Sequence, residues 1–499
     1  MGIIIRQAIK SSIVTYIGVL IGTLNFLFLF NRFLSTEQLG FYTTISSFPL
    51  IYASFANLGT SYVGIRFFNR FSSTENKHNG FLGYMLIAPL VGFSLFILIY
   101  SLGQDLFQKL YFKHSPLLVK YYWYFPLITF ALIYMTNLEA YSRVHLRIVI
   151  PTMLREVFLK ASNSILALLF GFHYITFDQL LYGIAFAYFL NVCFLLIYIK
   201  VLGRLYLDLD FSFLSKPIFK EMYRYGLWTI LGGVTATLLI NIEQTMLPAY
   251  QGGLNSTAIF FIAANIGIII TIPRNAVASI SDPLLAASWK ANNLAHVHQI
   301  YQKSALNLFI IGSLLFLAVW VNIDAIFMII PNSDIYSLGK FVVLMVGINS
   351  VFDMATGLNS EILRNSSLYR YDLVIYITRF MLLMAANLIF IPLYSYNGAA
   401  FSLLISGVLY NLSKFYFIKQ KLGIQPFSYS TLKVLLLGLA AYGIVLLIPN
   451  LNDSFWGIIL GICIKSLAIL TIYGIGVLFF DISQDISKAV RSVLRTKPI

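Results

Sequence analysis

Apolar residues in this chain come in long runs separated by short polar connections. A membrane-spanning helix needs about 20 mostly apolar residues, because the hydrocarbon core is roughly 30 Å thick and a helix rises about 1.5 Å per residue. Runs of that length fall near 11–33, 40–62, 81–102, 121–141, 154–174, 178–199, 225–248, 256–282, 304–325, 336–358, 372–393, 397–418, 432–449 and 455–480. They predict fourteen transmembrane helices in an all-α polytopic membrane protein. The longest polar connections, near 64–80, 200–221 and 286–303, leave no room for a soluble domain. The first run is too long for a signal-peptide core and is followed at once by another span, so it is read as a retained helix.

Composition agrees with this pattern. Of 499 residues, 59% are apolar and 11% charged, against roughly 25% charged in an ordinary soluble domain. The 43 Phe and 32 Tyr suit membrane interfaces. Cys193 and Cys463 both lie within apolar runs, which excludes a disulfide framework or a Cys-based metal site. The net charge of +15 raises the question of an anionic partner. Position answers most of it. With a cytoplasmic N-terminus, most of the 34 lysines and arginines, from Arg6 and Lys10 to Lys497, fall on the cytoplasmic side. The opposite side receives only Arg32, Lys109, Lys113, Lys120 and Lys340. Both termini are therefore expected in the cytoplasm, and nucleic acid is unnecessary as a partner.

A weak self-similarity at an offset near 220 sets Leu168–Tyr174 opposite Leu388–Tyr394, and Asn191 opposite Asn411. It predicts an N-terminal six-helix lobe over 1–200, a C-terminal six-helix lobe over 201–422 and two additional transmembrane helices over 423–480. In parallel-repeat transporters the substrate site lies between the halves. Residues 481–499 carry Ile482, Ile486, Val490 and Val493 at helical spacing with Lys488, Arg491 and Arg495 between them, predicting a cytoplasmic amphipathic tail.

Two segments carry a family resemblance. Arg32-Phe-Leu-Ser-Thr-Glu-Gln-Leu-Gly-Phe-Tyr42 resembles the first external turn of the lipid-linked oligosaccharide flippases of polysaccharide assembly, within the multidrug/oligosaccharidyl-lipid/polysaccharide (MOP) exporter superfamily. Ile391-Pro-Leu-Tyr-Ser-Tyr-Asn-Gly-Ala-Ala400 resembles the family's turn between its eleventh and twelfth spans. Where the family commonly has an Asp-Arg pair late in the seventh span, Glu243-Gln244 stands here, so the base is lost. The resemblance implies a MATE-like fold of two six-helix lobes over a hydrophilic cavity, alternately open to each side. It also implies transport of an undecaprenyl-diphosphate-linked oligosaccharide across a bacterial inner membrane, for O-antigen, capsule or exopolysaccharide synthesis. A polysaccharide polymerase and glycosyltransferases are the partners it suggests, besides membrane lipids.

The residues that bear on such a task are ionisable groups inside spans, each costing about 2.5–3.5 kcal/mol at a helix centre unless it meets water or a partner. Arg379 lies deep in the eleventh span, Arg274 follows Pro273 in the eighth, and Lys465 is near the middle of the last. Each is read either as a cation for the substrate diphosphate or as a paired or snorkelling side chain. Glu243 is a candidate for ion coupling or a polar helix end. Asp353 and Asp282 are expected to partner Arg379 and Arg274 respectively, while Glu139 and Glu361 read as helix ends. Asn25, Asn265 and Asn387 are candidates for sugar contacts, against ordinary interhelical hydrogen bonding.

Enzymatic signals are weak. Asp208-Leu-Asp210 has a glycosyltransferase spacing but sits in a loop too short for the domain that motif needs, and His296 and His298 lack further ligands. No cofactor, metal or enzymatic activity is expected. An ion-coupled multidrug exporter of the same superfamily and an integral-membrane polysaccharide polymerase or ligase are the rival readings. The first would call for buried acids, the second for a sizeable external loop.

Overall fold

Hydrocarbon offers no hydrogen-bond partner to a peptide group, so a chain this apolar can cross a membrane only as helices that satisfy their own backbone. The computed structural model describes residues 2–72, 77–208, 211, 214–451 and 454–488, and no strand occurs among them. Helix covers all fourteen predicted runs, with ends displaced by a few residues. Among the described residues ten helical stretches are long and apolar enough to span a bilayer, and large side chains such as Leu102, Val201, Ile240 and Leu447 point outward rather than into a core. The chain is a multi-pass membrane protein. Most of the predicted amphipathic tail, from 489 onward, lies outside the described residues, as does Asp210 of the Asp-Leu-Asp sequence.

The chain divides into two units, Met1–Ala258 and Ile259–Ile499. The repeat-based boundary after residue 200 assigns the seventh span to the second lobe; by packing, that helix belongs with the first unit.

The first unit holds α1 (Gly2–Leu24), α2 (Thr36–Ala56), α3 (Thr60–Phe71), α4 (Phe81–Leu102), α5 (Gln104–Tyr111), α6 (Tyr124–Val144), α7 (Leu159–Gly171), α8 (Phe177–Val201) and α9 (Lys216–Met246). The α2 helix lies at its centre, packed on α6 and α9. The turn that carries the family resemblance has a plain physical reading. Ser35 and Gln38 form a reciprocal capping box at the start of α2, with bonds of 3.2 and 3.0 Å. Gly40 lies inside the helix, not in a surface turn. A Cβ there would stand 1.9 Å from the Leu254 carbonyl oxygen, so only glycine allows the two backbones to approach. Tyr42 is buried and accepts a 2.7 Å hydrogen bond from Asn163.

Two π-helical turns, Asn25–Leu29 and Leu154–Phe158, occur on neighbouring helices. Widened turns free backbone groups, and side-chain amides occupy the neighbourhood. Asn25 donates to the Lys160 carbonyl at 3.0 Å and accepts from Ser164 at 2.7 Å, while Asn191 donates to the Leu154 carbonyl at 2.8 Å. Asn25 is thus spent on joining helices. Glu139, read from sequence as a helix end, is mostly buried and pairs with Arg155 at 2.9 Å.

The second unit holds most of α10 (Gly253–Ile268), with α11 (Ile272–Lys290), α12 (Leu294–Val321), α13 (Lys340–Ala355), α14 (Asn359–Asn365), α15 (Tyr369–Leu422), α16 (Tyr429–Leu446) and α17 (Phe455–Phe479). The 54-residue α15 contains a break at Ser395, whose φ of 53° and ψ of −130° are strained for a residue with a Cβ. The ring pairs Tyr371–Phe417 and Phe390–Phe401, at 4.8 and 5.0 Å, show that its two arms fold back antiparallel. This is the predicted Pro392–Gly398 turn. A Cβ on Gly398 would stand 2.0 Å from the Phe390 carbonyl oxygen, which closes the bend to larger residues. The two helices beyond the twelve-span core pack on α12 through Leu317, Val434, Val445, Ile469 and Tyr473.

Outside the spans of the first unit, His78 and His145 face each other at 5.5 Å between Phe68 and Tyr206. Burial first, then His78 and Arg204, push the His145 imidazole down to about 4; burial and Arg204 also lower His78. A histidine whose pKa falls on folding adds stability above the unfolded value of about 6.5, and that stability is lost as pH falls toward the folded value. The melting temperature in detergent is therefore expected to drop between pH 6.5 and 4, and the drop should shrink in His145→Gln; an unchanged slope would remove the pair from this role. Gly40→Ala should destabilise by about 1–3 kcal/mol through forced backbone separation, whereas Gly443→Ala, with open space at its Cβ, should be neutral or slightly stabilising. Equal melting temperatures for the two variants would refute the close-approach reading.

Candidate functional site

The second unit gathers charge where its helices meet. Arg274 comes from the first turn of α11, Asp353 from the end of α13, Glu361 and Arg364 from α14, and Asp372, Arg379, Tyr410, Asn411 and Lys414 from the two arms of α15. A short α14 is needed to bring its carboxylate under α11. Gly357, with φ +68°, turns the chain between α13 and α14 and packs against Ala305 where a Cβ would meet it at 2.8 Å.

Arg274 Nε stands 2.9 Å from Asp353 Oδ2, and its Nη2 lies 3.4 Å from Glu361 Oε2 and 3.5 Å from the Gly357 carbonyl. Asn411 donates to the other Asp353 oxygen at 3.2 Å, and Thr356 donates to Asn411. Glu361 also meets Arg364 at 3.4 Å. Beside this group Lys414 is completely buried, 2.5 Å from Asp372, 2.7 Å from Ser360 and 2.5 Å from the Tyr410 hydroxyl. The carboxylates of Asp353, Glu361 and Asp372 are thus matched by Arg274, Arg364 and Lys414.

Arg379 stands outside this balance. Its guanidinium carbon lies 4.7 Å from the centre of the Tyr410 ring, and no carboxylate pairs with it among the described residues. It is ten residues beyond the start of α15, about 15 Å along the helix at 1.5 Å per residue. A cation–π contact returns about 0.5–2 kcal/mol. That is less than the roughly 2.5–3.5 kcal/mol which a charge costs inside a span without water or a partner, and Arg379 is partly exposed, so water or an anion has access to it.

The expected pairings are corrected by these contacts. Asp353 partners Arg274, not Arg379, because α13 ends against the start of α11. Asp282, expected beside Arg274, instead accepts from Asn365 at 2.7 Å. Glu361 stands in the first turn of α14, as read, and is a buried ion-pair member besides, while Lys414, counted from sequence on the cytoplasmic side, is buried. Sequence spacing could have shown Tyr410 and Lys414 on one helix face, but not that Asp372 meets them across the hairpin.

The other candidates make other contacts. Glu243 is buried near the end of α9 in the first unit. Asn265 is partly exposed and donates to the Phe261 carbonyl of its own helix at 2.7 Å. Asn387 is fully buried in α15, and neither of its amide atoms has a hydrogen-bond partner among the described residues. Lys465 is buried in α17, where it donates to Asn450.

No family model and no curated protein sequence matches this chain. Solved structures do. The lipid II flippase MurJ, in an inward closed conformation, is similar with a TM-score of 0.75 at 14% identity, covering 95% of this chain and 98% of that one. An inward-facing multidrug resistance MATE transporter of the MOP superfamily has a TM-score of 0.60 at 15% identity, covering 84% and 98%. A MOP superfamily transporter from Pyrococcus furiosus has 0.53 at 15%, covering 84% and 95%. At such identities the likeness concerns the fold, which is the all-helical MurJ and MATE arrangement.

Removing Arg274 alone leaves Asp353 without its cation and Glu361 with Arg364 alone. Arg274→Met is expected to cost about 3 kcal/mol or more, and Arg274→Met with Asp353→Asn should recover part of it. Thermal unfolding in detergent measures both; strictly additive losses would show that the two groups are not coupled.

Proposed function

We propose that this protein is a flippase, not an enzyme, that moves an undecaprenyl-diphosphate-linked oligosaccharide from the cytoplasmic to the outer leaflet of a bacterial inner membrane by alternating access, with both its termini in the cytoplasm. The observation that carries the reading is Arg379, a cation within the predicted eleventh span that lies over the Tyr410 ring and has no carboxylate partner among the described residues. A diphosphate supplies the missing anion, and charge-assisted bonds to a guanidinium are strong in such surroundings. Moving the head group unaided would strand a diphosphate and many hydroxyls in hydrocarbon, so a transporter must offer cations for the one and amides for the other. Asn265 and Asn387 are the amides proposed for the sugar, and the lipid tail can remain in the bilayer. Arg274 is proposed as a second diphosphate ligand. Reaching the substrate requires it to loosen from Asp353 or Glu361, which would tie binding to a rearrangement of α11 and α14.

The likeness to MurJ, a lipid II flippase, supports a lipid-linked cargo, and the similar structures are flippases and transporters rather than polymerases or ligases. The likeness to MATE transporters keeps drug export as the rival. Against it stands the balance of charge in the second unit, where Asp353, Glu361 and Asp372 already face cations.

Replacement of Arg379 tests the reading in the source strain. Arg379→Ala is expected to abolish most surface polysaccharide and to accumulate the lipid-linked intermediate on the cytoplasmic face, with Arg379→Lys intermediate. Full export by a folded Arg379→Ala protein would remove the residue from the site. Normal polysaccharide with lost drug resistance would favour the exporter.

A further inference from the structure

A second polar pocket lies within the second unit, at the end where α12 stops, α16 stops and α17 begins. Its volume is about 370 Å³, inside the usual range for small-molecule sites, and Trp320, Asn322, Asp324, Lys340, Asn450 and Lys465 line it. Lys465 is 7% exposed, donates to the Asn450 side-chain oxygen and has no carboxylate partner among the described residues. Lys340, by contrast, is neutralised by Asp324 at 2.7 and 2.8 Å and sits over the Trp320 ring at 5.7 Å. Among the described residues the pocket therefore keeps one positive charge without a carboxylate partner. Asn322 is 2% exposed; its amide nitrogen is committed to the Ala318 carbonyl at 2.8 Å and to Ser466 at 3.2 Å, while its side-chain oxygen has no donor among the described residues. A buried cation and a buried acceptor without a donor, both lining one cavity, call for a ligand that brings an anion and a hydroxyl. The surroundings narrow the source. Leu446 lines the pocket and is largely exposed, and Leu447, Phe455, Trp456 and Leu460 nearby present apolar and aromatic surface outward, as helix ends do at a membrane interface.

We propose that this pocket binds a phosphate bearing a neighbouring hydroxyl, as in the phosphoglycerol head group of an anionic phospholipid, with Lys465 on the phosphate and Asn322 accepting from the hydroxyl. The site is separate from the Arg379 cluster and does not depend on the flippase reading, since binding can be measured without transport.

The test uses the full chain in detergent with four probes: phosphatidylglycerol, phosphatidylcholine, soluble glycerol phosphate and inorganic phosphate. Binding is followed by native mass spectrometry and by the rise in melting temperature. Wild type is expected to retain phosphatidylglycerol over phosphatidylcholine. Lys465→Met should weaken that affinity about tenfold or more, the loss of one charge-assisted contact, and Lys465→Arg should keep most of it. Lys465→Met removes an unpaired buried charge, so its own stability should not fall. Asn322→Leu, in the same pocket, should weaken phosphatidylglycerol while leaving inorganic phosphate unchanged. Glycerol phosphate bound with the same dependence on Lys465 supports the site with a soluble source. Equal phosphatidylglycerol affinity in wild type and Lys465→Met, or equal retention of both lipids, overturns the proposal.

Discussion

The cost of leaving a polar group without a partner in hydrocarbon governs this molecule at every level. It forces the backbone into helices and decides where helices may break. The π turns at Asn25–Leu29 and Leu154–Phe158 occur where Asn25 and Asn191 can take up carbonyls. The reversal at Ser395 occurs where Gly398 lets one arm of α15 approach the other. The same cost pulls Arg274, Asp353 and Glu361 together, and draws Lys414, Asp372 and Tyr410 into contact across the hairpin. What the structure leaves uncompensated becomes its most informative feature. Among the described residues Arg379 and Lys465 are cations without carboxylate partners, in two different places, and an anion from outside the chain is proposed for each.

Much of the fold was legible because its determinant is local. A run of about 20 apolar residues predicts a span wherever it occurs, and all fourteen predicted runs are helical. Ser35, Gly40, Tyr42 and Gly398 were visible as a pattern, although Gly40 proved to serve a close approach inside a helix rather than a surface turn. Candidate charges were legible for the same reason, since an arginine inside an apolar run needs no partner to be noticed. The pairings were not. Asp353 and Arg274 are far apart in sequence, and only the packing of α11 against α14 and α13 brings them together. Lys414 was counted among the exposed cytoplasmic cations because it lies near a predicted helix end; α15 runs on to Leu422 and buries it. Glu361 does stand in the first turn of the short α14, and only the packing of that turn shows it to be buried.

The paired and unpaired charges suggest different tasks. A carboxylate–cation network at the crossing of α11, α13, α14 and α15 ties these elements together. Under the proposed function, exchange of its partners is the means of switching between states, and Arg379, against a tyrosine face, is the cation free to meet an anionic cargo.

The most direct measurement is leaflet exchange of an undecaprenyl-diphosphate-linked sugar in proteoliposomes containing the purified protein, read by the accessibility of the sugar to an external enzyme. The proposed function predicts that the protein accelerates exchange well above that of empty vesicles and that the same lipid with a monophosphate moves more slowly. Folded protein that leaves exchange at the rate of empty vesicles would contradict it.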